Sequence, residues 1–251
     1  MSRLADPPLR AVTFDFWDTL VSQSSGDSRQ RRLDAWLEVL EAEGLTVERG
    51  RLDAALDVGR TGFDTAWRAN QRYSAADSVR DSLAHLGLQL STSVIDLLVG
   101  IINNPPGRRP ATTPNVRVAL EALAAADVRI GIICDVGLTP SPSLRRYLAE
   151  HELLGFFDHW SFSDEVGTFK PDPRIFRHAL DGLGGIRPEE AAHVGDLRRT
   201  DVAGSQALGI FAVRYAGMYD DRGDEGEGTH QVEGDAVIAD HADLVEVLGL
   251  V

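Results

Sequence analysis

The sequence predicts an α/β protein, a parallel sheet covered by helices on both faces, whose first strand is separated from the rest by an inserted helical bundle. Three observations carry this. A short apolar run, Ala11–Phe14, stands alone near the start. Four helical stripes follow it with no strand between them. Beyond the break at Asn103-Asn-Pro-Pro-Gly-Arg-Arg-Pro110, strands and helices alternate to the end.

Ala11–Phe14 is short, mostly apolar and contains a β-branched pair, the mark of a strand buried on both faces. Asp15 falls where it ends. The first helical stripe places Leu33, Trp36, Leu37 and Leu40 on one face, and Gly44 closes it. A second runs through Leu52, Ala55, Leu56, Phe63, Ala66 and Trp67, with Trp36 and Trp67 expected in the bundle core. Ser74 and Asp77 have capping-box spacing ahead of Val79, Leu83 and Leu86, and Gly87 follows. The fourth spans roughly residues 92 to 101. The arginines on these helices, Arg29, Arg31, Arg32, Arg68 and Arg72, read as a solvated face paired with acids.

After the proline-rich break the pattern predicts helix 115–126, strand 129–134, helix 143–150, a short strand at 159–162, helix 173–183, strand 192–194, helix 199–208 and strand 210–214. A last strand and helix fall within 236–248, after an acidic, glycine-rich loop at 220–228 to which no function is assigned. The strand at Ala11–Phe14 has to rejoin this sheet across the insertion. The expected division is residues 1–21 with 105–251 as the catalytic core and 22–104 as a helical cap, hinged near Ser22–Asp27 and Asn103–Pro110.

Composition narrows the function. Over 251 residues, 43% are apolar and both signs of charge are dispersed, as in a folded soluble chain. A formal charge of −14 argues against a nucleic-acid partner, which needs a basic surface. No apolar run reaches the ~20 residues that cross a bilayer, and Met1-Ser-Arg-Leu-Ala-Asp6 lacks the apolar core of a signal peptide. Cys134 has no partner for a disulfide. The expected setting is cytoplasmic, without a membrane.

The polar residues at the strand ends give the chemistry. Asp15, Cys134-Asp135 and Gly195-Asp196 each close a predicted strand, Lys170 sits in a loop just before a helix, and Asp201 lies five residues beyond Asp196. In an open parallel sheet these positions share the ligand-binding rim. A carboxylate can attack phosphorus and form an aspartyl phosphate, which divides a difficult hydrolysis into two steps. Nucleophile and phosphate are both anionic, so the set needs positive charge. Asp196 and Asp201 offer hard oxygen ligands to Mg2+, and Lys170 offers an ammonium.

The motifs Asp15-Phe-Trp-Asp-Thr19, Cys134-Asp135, Lys170-Pro-Asp-Pro173 and Gly195-Asp-Leu-Arg-Arg-Thr-Asp201, in this order, resemble those of the haloacid dehalogenase superfamily, which includes many magnesium-dependent phosphatases. The resemblance covers essentially the whole chain. It implies a Rossmann-like core and a helical cap that closes over small substrates. It also implies Asp15 as nucleophile, Lys170 as catalytic cation, and a phosphate site including Cys134, Asp135, Trp17 and Thr19. Mg2+ would be held by Asp15, the carbonyl of Trp17, Asp196 and Asp201, the last directly or through water. The expected substrate is a small phosphorylated molecule.

Two positions depart from the family pattern. Its phosphatases usually carry an acid/base aspartate two residues after the nucleophile, where this chain has Trp17, whose indole neither gives nor takes a proton at useful pH. Asp18 next door points elsewhere and is expected to bond within the turn. Cys134 stands where a serine or threonine normally binds a phosphoryl oxygen. The alternatives are a 2-haloacid dehalogenase-like hydrolase, which needs no acid at that position, and a protein that binds a phosphorylated ligand and turns it over weakly or not at all. Retention of Gly195-Asp196 and Asp201 favours magnesium and phosphate.

Overall fold

The computed structural model describes residues 7–22, 28–107, 110–222 and 232–250. Most of the expected hinge at Ser22–Asp27, part of that at Asn103–Pro110 and most of the acidic loop at 220–228 lie outside these residues. The chain forms two compact units: Met1–Gln23 with Pro110–Asp135 and Arg145–Val251, and Ser24–Arg109 with Val136–Leu144.

In chain order the elements are β1 (Ala11–Phe14), α1 (Ser28–Ala42), α2 (Arg49–Arg68), α3 (Ala75–Leu86), α4 (Thr92–Asn103), α5 (Val116–Ala125), β2 (Arg129–Cys134), α6 (Ser141–Glu150), β3 (His159–Phe162), α7 (Ser163–Val166), α8 (Pro173–Gly182), β4 (Ala191–Gly195), α9 (Ala203–Gln206), β5 (Phe211–Tyr215), β6 (Ala236–Ile238) and α10 (Leu244–Val247). The six strands form one sheet in the order β3-β2-β1-β4-β5-β6, with every described pairing parallel. β1, β2 and β4 are central and almost wholly buried, which is why their sequences are runs of small and β-branched residues rather than alternating ones. On one side of the sheet α8 packs Ile175, Phe176, Ala179 and Leu180 into a core with Ala11 and Ile133.

The helical unit is built by α1 to α4. Leu33, Trp36, Leu40, Leu52, Val79, Leu83 and Leu98 form its core. Ser74 caps α3 in a complete capping box with Asp77, and Gly87 takes the left-handed conformation (φ 70°) that ends it. Trp67 is a correction: with Phe63 and Ala66 it is only half-buried, because the apolar stripe of α2 is fully covered only over its first half, at Leu52, Ala55 and Leu56. Arg29 pairs with Asp53 and Asp57 at the surface, as a solvated charged face requires.

Other differences are local. α6 begins at Ser141, two residues before the expected start, because Pro142 is tolerated in a first helical turn. The helix expected at 199–208 is instead a π-helical turn, Arg198–Val202, running into the single turn of α9. Among the described residues no helix is long and apolar enough to cross a membrane.

Candidate active site

Sheet register brings the main candidates together before any loop is considered. Phe14 of β1 pairs with Ile132 of β2 on one side and Val194 of β4 on the other, and the Asp15 N–H donates to the Val194 carbonyl at 2.8 Å. Asp15 and Asp196 thus leave neighbouring central strands at their carboxyl ends. The strand order reverses between β1 and β4, the place where open parallel sheets bind ligands. Side chains alternate along a strand, so Thr13 and Asp15 share one face of β1, and His193 and Gly195, their neighbours in register, share that face of β4.

Gly195 makes room for Asp201. A Cβ at Gly195 would lie 2.3 Å from the Asp201 carboxyl carbon, so only glycine leaves the slot in which that side chain sits. Asp201 Oδ1 accepts from Lys170 Nζ at 2.6 Å and from His193 at 3.0 Å, and Oδ2 accepts from the Leu197 N–H at 3.0 Å and the Thr200 hydroxyl at 3.5 Å. Lys170 Nζ also donates to Asp15 Oδ1 at 2.5 Å and to the Ile133 carbonyl at 3.0 Å. An ammonium has three N–H groups, and all three are engaged. The Lys170 backbone N–H donates to Asp135 Oδ1 at 3.0 Å, so Asp135 anchors the loop that delivers the lysine.

Burial sets the electrostatics. Lys170 is 2% exposed, Asp201 1% and Asp15 7%. Burial raises the Asp15 pKa to about 7 against the pull of Lys170, with Asp201 adding to the rise. Asp196 is pushed well up by burial and by the charges of Asp15 and Asp201, and among the described residues nothing donates a hydrogen bond to it. Burial acts to raise Asp201 as well, yet Lys170 and His193 beside it hold it below the usual carboxylate range. Burial opposes the charge on Lys170, but Asp15 and Asp201 keep it firmly an ammonium. Ionised together, the three carboxylates would leave an excess of negative charge around one ammonium in a place where water cannot screen it, which is why Asp15 and Asp196 are driven toward the protonated form.

Oxygen atoms of Asp15, Asp196 and Asp201 lie within 4.8 Å of one another. Hard oxygen donors with unneutralised charge fit a small divalent cation such as Mg2+. Asp15 Oδ2 and the Asp196 carboxylate receive no protein hydrogen bond among the described residues, whereas both oxygens of Asp201 are already occupied.

The remaining predicted residues are placed as follows. Cys134 ends β2 fully buried, and burial together with the nearby Asp15 charge keeps its thiol protonated. Trp17 packs edge-on against Phe16 and Tyr147, with ring centroids 5.0 and 6.3 Å away. Asp18 has φ 54° and its N–H donates to the Val21 carbonyl at 2.7 Å, a turn position that aspartate tolerates. Thr19 is fully buried, its hydroxyl has no partner among the described residues, and its carbonyl accepts from Thr113 at 2.7 Å and His241 at 2.8 Å. No hydrogen bond joins Thr19 to the Lys170 group among the described residues.

His193 is a member of the cluster that the sequence reading did not single out. Its signal is one polar residue inside an otherwise apolar strand, two positions before Gly195 and hence on the face that bears the site.

Comparison with known proteins gives the family. A model of the haloacid dehalogenase-like hydrolase family matches residues 9–209, and the chain belongs to that family. A phosphoserine phosphatase of Thermus thermophilus is 42% identical over 94 residues, 37% of each chain. A glyceraldehyde 3-phosphate phosphatase of Pyrococcus furiosus is 34% identical over 136 residues, 54% of this chain and 53% of the relative. The chain thus spans from about a third to about half the length of these two relatives. Among solved structures, a phosphatase of the family from Thermococcus onnurineus aligns with a TM-score of 0.60 at 23% identity, over 96% of this chain and 98% of the other. A 2-haloacid dehalogenase from Pseudomonas syringae aligns with a TM-score of 0.65 at 20% identity, over 96% and 99%. At these identities the structural likenesses establish the fold.

Proposed function

We propose that this hydrolase cleaves phosphate monoesters of small molecules through an aspartyl phosphate on Asp15. The observation that carries the reading is the buried group of Asp15, Lys170, Asp196 and Asp201 at the switch point of the sheet. In the first step the free oxygen of Asp15, Oδ2, attacks phosphorus, and the bond between phosphorus and the ester oxygen breaks. The departing oxygen keeps the electron pair. In the second step water adds to phosphorus, the bond to Asp15 breaks, and inorganic phosphate leaves with the carboxylate restored. Lys170 holds Asp15 Oδ1, which fixes the carboxylate for attack and offsets part of the charge that the phosphate brings.

Mg2+ would be held by Asp15, Asp196 and the Trp17 carbonyl, and would supply the positive charge that phosphoryl transfer needs. Asp201, its lone pairs filled by protein donors, serves by fixing Lys170 and touches the ion through water at most. Cys134 and Asp135 lie at the edge of the phosphate position, and the helical unit serves as a cap that selects the substrate.

Trp17 shapes the preference. With no proton donor at that position, esters whose leaving group is stable as an anion react best. The test is a panel of aryl and alkyl phosphates with and without Mg2+, comparing wild type with Asp15→Asn. Magnesium-dependent turnover of aryl phosphates that disappears in Asp15→Asn is expected. Equal background in both proteins makes the chain a binder of phosphorylated ligands, and halide release from 2-chloropropionate makes it a dehalogenase.

A further inference from the structure

Behind the lysine lies a second layer of hydrogen bonds. His193 is 1% exposed on β4, in register with Thr13 of β1. Its Nδ1 lies 2.9 Å from the Thr13 hydroxyl and its Nε2 lies 3.0 Å from Asp201 Oδ1. The ring of Phe176 meets it edge-on, with centroids 5.3 Å apart and planes at 82°, so the imidazole is held from the side as well.

We propose that His193 is a positioning residue for this reaction, held by Thr13 as the Nε2–H tautomer so that it donates to Asp201 and steadies Lys170 against Asp15. The inference rests on the phosphatase reading for its kinetic part only. The tautomer follows from donor counting. In its neutral form an imidazole carries one N–H. Asp201 is a carboxylate and can only accept, which puts that hydrogen on Nε2. Nδ1 is then an acceptor, and the Thr13 hydroxyl has to donate to it. The other acceptor within reach of that hydroxyl, the Ala192 carbonyl, is farther at 3.3 Å.

The consequence reaches the nucleophile. Asp201 Oδ1 is shared by His193 and Lys170, while Lys170 is shared by Asp201 and Asp15 at nearly equal distances of 2.6 and 2.5 Å. Without the histidine donor, Asp201 Oδ1 has one lone pair unmet in a dry place. The ammonium, at 2.6 Å, is the mobile donor nearest to it, the Thr200 hydroxyl lying 3.5 Å from the other oxygen, and it shifts toward Asp201 and away from Asp15. A histidine that merely filled space in the strand would not have this effect.

The experiment has two independent arms. Long-range 1H–15N spectra of the wild-type imidazoles read the tautomer without turnover. A neutral Nε2–H ring for His193 is expected, and a neutral Nδ1–H ring or an imidazolium near neutral pH overturns the assignment. Steady-state kinetics with an aryl phosphate then compares His193→Leu, His193→Gln and Thr13→Val. Partners of this kind typically change activity by ~10–100-fold. His193→Leu should lower kcat by that factor with little change in KM, and the glutamine amide should restore most of it by donating to Asp201. Equal kcat in the Leu and Gln variants overturns the positioning role. If His193→Leu does not fold, Thr13→Val decides: kcat falls and the Nε2–H signature gives way to mixed tautomers, or neither changes and the proposal fails. Absence of any Asp15-dependent turnover in wild type refutes the phosphatase reading alone, because the spectra still judge the tautomer.

Discussion

The helical unit and the sheet unit each carry acid–base pairs of similar length, and the two sets behave differently. On α1 and α2, Arg29 bridges Asp53 at 2.6 Å and Asp57 at 3.0 Å with all three side chains about two-fifths exposed. Under the sheet rim, Lys170 bridges Asp15 and Asp201 at 2.5 and 2.6 Å with exposures of 10% or less. Water screens the first set and gives back by hydration most of what a broken pair loses. Nothing does this for the second. Such pairs are set apart by burial rather than by distance, and a buried excess of negative charge is what a divalent cation can neutralise.

The largest effect is expected where that excess is exposed. Lys170→Met removes the only ammonium among three buried carboxylates, and breaking a buried pair costs about 3–5 kcal/mol. Urea unfolding should show this loss, and turnover should vanish even where the variant is folded. A loss below 1 kcal/mol would mean that the cluster is solvated like the outer pairs and that the contrast is false.

Trp17→Asp sharpens the contrast from the other side, by adding an acid two residues after Asp15. If the missing proton donor limits alkyl esters, their kcat should rise toward the ~10²–10⁴-fold that general acid catalysis supplies, with little change for aryl esters. An equal change for both ester types would remove leaving-group protonation from the explanation.

These residues were not equally legible in the sequence. β1, β2 and β3 fall where apolar runs and turn residues put them, and the α3 boundaries were readable from Ser74, Asp77 and Gly87 because capping is local chemistry. Asp15 and Asp196 were readable because strand ends share a rim, and Lys170 and Asp201 because they stand in motifs just before a helix and five residues beyond Asp196. His193 was not, since its partner Thr13 lies 180 residues away and only sheet register brings them together. The π turn at Arg198–Val202 was also hidden: its residues have ordinary helical propensity, and the wider turn accompanies the placement of Asp201 over Gly195, a tertiary demand. Trp67 failed for the opposite reason, because a periodic stripe reports which face is apolar and not how far along the helix it is covered.

Proton linkage gives a third, smaller test. The Asp15 carboxyl ionises near 3.8 in the unfolded chain and at about 7 in the metal-free fold. Between these values the folded state holds a proton that the unfolded state has lost, so this group makes stability fall as pH rises. A divalent cation binds the carboxylate form and competes with that proton. The gain in Tm on adding Mg2+ should therefore grow between about pH 5 and about pH 8. Asp196→Asn should flatten the dependence, since the one carboxylate of the three with no protein donor among the described residues is then a neutral amide. A gain independent of pH would show that Mg2+ binds outside the cluster.

The smallest expected effect lies on the helical unit and gives the comparison its baseline. Arg29→Met keeps most of the aliphatic stem that packs along the helix and removes only the charge and its hydrogen bonds to Asp53 and Asp57. An exposed pair of this kind contributes ~0.2–1 kcal/mol, and the Debye length of ~3 Å at 1 M salt screens most of it. The variant should unfold at nearly the wild-type urea concentration and become indistinguishable from it in high salt, with turnover unchanged. Lys170→Met should keep its deficit in the same high salt, because mobile ions cannot enter a group with so little exposure. Similar salt dependence in the two variants would mean that solvent reaches both clusters, and the difference in chemistry between the two regions would then need a cause other than burial.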